Sequence, residues 1–145
     1  SLVVYPWPQQ LQYDKRDSKH VEMWKSFCEG KCYKFINFFP YFFDEKEAKQ
    51  AAEKLLNLGI KKVIITLGEK GLFYTDGKEE TYLKASSVKA IDTTGAGDAF
   101  NGGLAYGLSK DKPINECLEL ANKVAGISTT KLGAGDAMPF ISDIK

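Results

Sequence analysis

The sequence is short of cysteine, nearly without histidine and almost neutral, and each shortage closes off a class of function. Three cysteines, Cys28, Cys32 and Cys117, are too few and too odd in number for a disulfide framework. Cys28 and Cys32 have no second ligand pair, and the only histidine, His20, lies upstream of both, so a zinc site is not expected. Ordinary reduced thiols fit a cytoplasmic protein. A lone histidine in the polar stretch from Asp14 to His20 also argues against serine or cysteine triads, which need an imidazole base. Twenty basic residues balance 19 acidic ones, for a formal charge of +1, which provides no excess for binding nucleic acid or an anionic membrane. The longest strongly apolar run, Phe35 to Phe43, is about half a membrane span and contains Asn37 and Pro40. No charged, apolar and cleavage regions follow one another as in a signal peptide. The sequence contains neither a Gly-x-x-x-x-Gly-Lys-Ser/Thr phosphate loop nor a dinucleotide fingerprint.

What is present is divided unevenly. The 145 residues are 43% hydrophobic, enough to bury a core. Residues 1–43 hold 12 of the 18 aromatics and one of the 13 glycines, while residues 44–145 hold the rest. The chain therefore reads as an aromatic-rich segment, 1–43, with no firm element assignment, joined to a regular segment, 44–145. In the first, Leu2 to Tyr5 suggests a short strand and Val21 to Phe27 a helix.

From residue 44 the periodicities become regular. Asp44 and Glu47 resemble a capping box, and Ala48, Ala51, Ala52, Leu55 and Leu56 recur at helical spacing up to Gly59, which is suited to a left-handed helix end. Lys62 to Leu67 is an apolar, β-branched run typical of a buried parallel strand. Leu72–Thr75 and Glu80–Lys84 read as a hairpin turned at Asp76-Gly77-Lys78, and Val88–Ile91 as a further strand. Helices are expected over Gly97–Leu108, with small residues for close packing, and over Pro113–Thr130. Helices alternating with strands point to an α/β sheet.

The run Asp92-Thr93-Thr94-Gly95-Ala96-Gly97-Asp98-Ala99-Phe100 carries the chemistry. Small residues at 95–97 let a substrate approach the backbone, and the free amides of a helix start converge there to bind an anion. Asp98 falls in the first turn, where the helix dipole favours negative charge. A carboxylate beside an anion hole suits phosphoryl transfer: the carboxylate takes a proton from an attacking hydroxyl, and the amides stabilise the phosphoryl oxygens. The alternative is that Asp98 only caps the helix and the glycines only serve packing.

Asp92 to Phe100, continued through Asn101-Gly102-Gly103-Leu104, resembles the signature of the ribokinase-like (PfkB) sugar kinases, and the ribokinases among them most. Ile65 to Gly71 resembles the family's strand and turn beside the ATP phosphates, and Ala121-Asn122 its helical pair beside adenine. The resemblance covers about residues 44–140. It implies a three-layer α/β/α, Rossmann-like sheet that is incomplete here, without the N-terminal half and its β-lid. It implies ATP-dependent phosphorylation of a sugar hydroxyl, D-ribose to ribose 5-phosphate, with fructokinase or a catalytically inactive nucleotide-binding module as alternatives. Asp98 becomes the general base, and Gly95, Ala96 and Gly97 the anion hole. Thr66, Gly68, Gly71 and Asn122 line the nucleotide. Mg2+ accompanies ATP, and K+ is implied at Asp92, Thr94, Thr129, Leu132 and Ala134, mostly through backbone oxygens. The family's Asn-x-x-Glu near magnesium has only Asn37-Phe38-Phe39-Pro40 as its counterpart. A second Gly-Ala-Gly-Asp, residues 133–136, precedes Pro139, which argues against a helix start and against Asp136 as the base. The implied partners are a sugar and ATP, with no nucleic acid or membrane, and a homodimer is allowed for the full-length protein.

Overall fold

The computed structural model describes residues 2–5, 34–35 and 45–144. The expected helix over Val21–Phe27, the Asp44 cap and the Asn37 counterpart of the magnesium motif lie outside the described residues. The elements are β1 (Leu2–Tyr5), β2 (Lys34–Phe35), α1 (Glu45–Asn57), β3 (Lys62–Thr66), β4 (Leu72–Thr75), β5 (Glu80–Leu83), α2 (Ala96–Ser109) and α3 (Ile114–Ser128), with single 3-10 turns at Gly68–Lys70 and Ile141–Asp143. The chain forms two compact units, one of Ser1–Leu67 and Phe73–Tyr82, the other of Gly68–Leu72 and Leu83–Lys145.

The first unit is built on a sheet of order β2-β1-β3-β4-β5. β1 lies parallel to both neighbours, with Val3 opposite Lys34 and opposite Val63. The expected strand at Leu2–Tyr5 thus sits beside β3, and the compositional step at residue 43 does not divide the sheet. α1 packs Ala48 and Ala52, both fully buried, against Val63, Ile65 and Phe73, with Leu55 and Leu56 at the edge. Its first turn holds Glu45 and Glu47 and its last turn Lys54, matching the helix dipole. Gly59, at φ +89°, ends it: the amide of Gly59 donates to Leu56 and that of Ile60 to Leu55, the Schellman pattern, with Ile60 in the same core. The β4–β5 turn is closed by the Asp76 carboxylate, which accepts from the amides of Lys78 and Glu79 at 2.9 Å each.

The second unit is organised by α2 against α3. The helices meet at glycines: a Cβ on Gly103 would lie 2.9 Å from the Ala121 Cα, and one on Gly107 would lie 2.9 Å from the Cys117 Sγ. Its neighbour Gly102 has nothing within 4 Å of the same position. Gly102→Ala is therefore expected to stabilise the protein by about 0.5–1 kcal/mol through the unfolded state. Gly103→Ala should destabilise it by about 1–3 kcal/mol through overpacking. Urea denaturation of the two variants checks both signs.

Two expectations are corrected. Val88–Ile91 is not a strand: residues 84–90 carry no regular structure, and the amides of Ile91 and Asp92 donate instead to the Thr129 carbonyl at 2.7 and 3.1 Å. Val88 and Ile91 stay 40% and 60% exposed, so no buried face drives them into a ladder. Pro113 is not inside α3 but precedes it in extended conformation (φ −52°, ψ 145°), with its carbonyl accepting from Cys117.

Candidate active site

The Asp92–Phe100 run folds as a turn that feeds α2. Gly95 takes φ +79°, the left-handed conformation, as N-cap of the helix. A Cβ there would also meet Ala134 and Met138 at 3.0–3.1 Å, so glycine is required twice over. No side chain caps α2. The Ala96 amide donates to the Thr93 carbonyl at 3.2 Å, which commits it to the turn and removes it from the expected anion hole. The first-turn amides of Gly97 and Asp98 are the donors that helix geometry leaves over. Asp98 is exposed, and among the described residues its carboxylate has no hydrogen-bond or ion-pair partner. The reading in which Asp98 merely caps the helix therefore loses its basis.

Asp92 has a different task. One carboxylate oxygen accepts from the Thr94 amide and the other from the Gly133 amide, both at 2.9 Å. This joins the two Gly-Ala-Gly-Asp loops. The Thr94 hydroxyl, with the Gly133 and Thr94 amides, holds the Asp92 carboxyl below the usual carboxylate range. A depressed folded value means the clasp contributes stability above the unfolded carboxyl's titration, near pH 4, and loses it as pH falls further. Melting temperatures measured from pH 7 down to pH 2.5 should fall more steeply below about pH 4 for the wild type than for Asp92→Asn. Parallel curves for the two proteins would contradict the clasp.

The second loop opens no helix, as Pro139 suggested: Met138 donates to Gly135 in a turn, and Asp136 is exposed. Ala134 stands against Gly95, while Leu132 is 75% exposed. The structure thus brings Asp92, Thr94, Thr129 and Ala134 into one neighbourhood. The Thr129 carbonyl, however, already accepts from two amides.

The residues that the resemblance assigns to a nucleotide are described unit by unit. Thr66 ends β3, half-buried, in the first. Gly68 and Gly71 belong to the second, at φ +59° and +109°, and bracket the 3-10 turn through the Gly71 amide on the Gly68 carbonyl at 3.0 Å. Gly71 lies directly on the backbone of Leu83–Ala85. Asn122, on α3, donates through Nδ2 to the Lys84 carbonyl at 2.7 Å. Beside it lies an open groove of about 550 Å³, lined by Ser86, Ser87 and Val88 and by Glu119, Asn122 and Lys123 of α3. That size and mixed lining suit a small heterocycle. The wall at 84–88 was not legible beforehand, because its ties to α3 join residues far apart in sequence.

An α/β protein with a glycine-opened helix start that no side chain caps, and a groove beside Asn122, is thereby defined, and the relatives sharpen that class. The profile of the pfkB family carbohydrate kinases matches residues 35–141. An uncharacterized sugar kinase of Archaeoglobus fulgidus is 43% identical over 94 residues, 65% of this chain and 38% of that protein. Ribokinase of Lactococcus lactis is 36% identical over 116 residues, 76% of this chain and 39% of that protein. The ribokinase structure from Thermotoga maritima superposes with a TM-score of 0.64 at 42% identity, covering 66% of this chain and 32% of that one. The Arabidopsis thaliana ribokinase complexed with ribose and ATP gives 0.66 at 30% identity, covering 70% and 33%. The chain belongs to the pfkB family of carbohydrate kinases, and its fold is the ribokinase-like α/β fold in part. It spans less than two-fifths of the length of these relatives. Among the described residues no helix is long and apolar enough to cross a membrane.

Proposed function

We propose that the chain is the nucleotide-binding and catalytic part of an ATP-dependent sugar kinase that converts D-ribose to ribose 5-phosphate. The observation that carries this is Asp98, an exposed carboxylate with no structural partner among the described residues, in the first turn of α2 and three residues beyond the glycine that opens it. In this reading Asp98 accepts the proton of the sugar hydroxyl as its oxygen attacks the γ-phosphorus and the bond to ADP breaks. The amides of Gly97 and Asp98, with the positive end of the α2 dipole, stabilise charge on the transferred group. Gly95 contributes by its conformation and Ala96 by closing the turn. Gly68 and Gly71 shape the phosphate side of the nucleotide site, Thr66 precedes them at the strand end, and the cavity beside Asn122 takes the base.

Mg2+ is held in this reading chiefly by the nucleotide phosphates, hard oxygen ligands that it prefers, and offsets their charge. The oxygens around the Asp92 clasp are equally hard and suit K+, with Asp92, Thr94 and the Leu132 and Ala134 carbonyls as its holders. Thr129, already accepting two amides, serves the clasp instead.

Fructose is the second substrate class, because a probable fructokinase of Arabidopsis thaliana is 35% identical over 108 residues. The assay is ATP consumption by the polypeptide carrying this chain, offered ribose, fructose or adenosine. Ribose is expected to give the highest kcat/KM; preference for fructose reassigns the substrate, and nucleotide binding without turnover on any of the three leaves a binding module.

A further inference from the structure

The family resemblance implies that Asn122 lies against adenine, where a carboxamide can read a base edge. Its observed bond points to another role. The segment from Lys84 to Ala90 leaves β5 with neither helix nor strand structure, yet it forms one wall of the 550 Å³ cavity and runs directly into Asp92. An irregular wall needs other ties for its backbone. The structure supplies them from α3 and from the glycine turn. Asn122 Nδ2 donates to the Lys84 carbonyl at 2.7 Å. On the same stretch, Gly71 packs so closely that a Cβ there would strike the Leu83 carbonyl and the Ala85 amide. Further along, Gly126 of α3 approaches Ser86 so that a Cβ would lie 2.9 Å from the Ser86 Cβ. The far end is fixed by Ile91 and Asp92 on the Thr129 carbonyl.

We propose that Asn122 is a positioning residue: its amide holds the Lys84 carbonyl, and with it the cavity wall that continues into the Asp92 loop, and does not select the base. One of the two N–H groups of the carboxamide is spent on Lys84, which ties the orientation of the side chain to the wall. Asn122 is the side-chain tie at the near end of the segment, as Thr129 is the main-chain tie at the far end. Loosening it lets the wall between Ser86 and Val88 move. Occupation of the cavity should then order the route to Asp92. The proposal rests on the nucleotide reading above for the cavity's ligand.

The test compares wild type, Asn122→Ala and Asn122→Gln, which keeps the donor, by calorimetric binding of ATP and GTP and by amide exchange without ligand. Asn122→Ala is expected to weaken ATP and GTP alike by about tenfold, the size of one such hydrogen bond, keeping their ratio within about twofold. Exchange at residues 86–88 should rise by a similar factor, with both effects smaller in Asn122→Gln. A change in the ATP-to-GTP ratio of fivefold or more at unaltered exchange would make Asn122 a base reader and overturn the proposal. Unchanged affinities with faster exchange would make it merely structural, and also overturn it. A wild-type chain that binds neither nucleotide would instead refute the nucleotide reading, and the exchange comparison alone would then decide whether Asn122 holds the wall.

Discussion

Replacing Asp98 with asparagine is expected to lower kcat for phosphoryl transfer by about 10²–10⁴, the usual worth of a positioned base, while the Kd for ATP changes by less than about threefold. Asparagine matches the carboxylate in shape and keeps the helix start intact, but it cannot accept a proton. Because Asp98 has no structural partner among the described residues, its loss leaves no buried group unpaired. Stability should fall only by the lost charge–dipole interaction, about 0.3–1 kcal/mol, and the main effect should appear in turnover. Asp136→Asn, in the second Gly-Ala-Gly-Asp, is the matched control. That carboxylate sits in a turn without a following helix, so its replacement should leave kcat within about twofold. Stopped-flow or coupled assays on the two variants separate the tetrapeptide's composition from its setting. Equal losses would mean that the helix start does not set Asp98 apart from Asp136.

Gly71→Ala is expected to cost about 3 kcal/mol or more. Two penalties coincide there. A φ of +109° is costly for any residue with a Cβ, by about 1–3 kcal/mol, and the added methyl would run into the backbone of Leu83, Lys84 and Ala85. Backbone cannot rotate aside as a side chain can, so displacement of the 83–85 segment adds about 1–3 kcal/mol. Gly133→Ala is the control for the conformational penalty alone: its φ is +88°, but nothing lies within 4 Å of the added carbon. It should cost about 1–2 kcal/mol. Guanidinium denaturation followed by circular dichroism gives both numbers. A Gly71→Ala cost no larger than that of Gly133→Ala would show that the close approach to Leu83–Ala85 is not real. Because domains are only marginally stable, Gly71→Ala should also lower the yield of folded protein.

Elements whose stability comes from neighbours in sequence could be read in advance. α1 was visible in the spacing of Ala48, Ala52 and Leu55 and in Gly59, because helical periodicity and the left-handed cap are local properties. β3 was visible as a β-branched run, and the start of α2 as a glycine followed by small residues. Val88–Ile91 looked like a strand because its residues have strand propensity, but propensity yields when no ladder partner is offered and Thr129 accepts the amides instead. The site was legible as a set of residues and not as a set of contacts. The Asp92–Gly133 and Lys84–Asn122 bonds join residues 41 and 38 apart, and no local pattern encodes them. The same gap covers the Ala96 amide, which the turn to Thr93 engages, and the Asn122 amide, one N–H of which is held by Lys84.

In the proposed function, one nucleotide site is assembled from the glycine turn, the Lys84–Val88 wall and the start of α2. Titrating the 15N-labelled chain with MgATP and following amide shifts tests it most directly. Saturable shifts are expected at Gly68–Gly71, Ser86–Val88, Gly95–Asp98 and the Asn122 side-chain amide, with little change along α1. No saturable shifts, or shifts grouped along α1 with the α2 start unmoved, would contradict it.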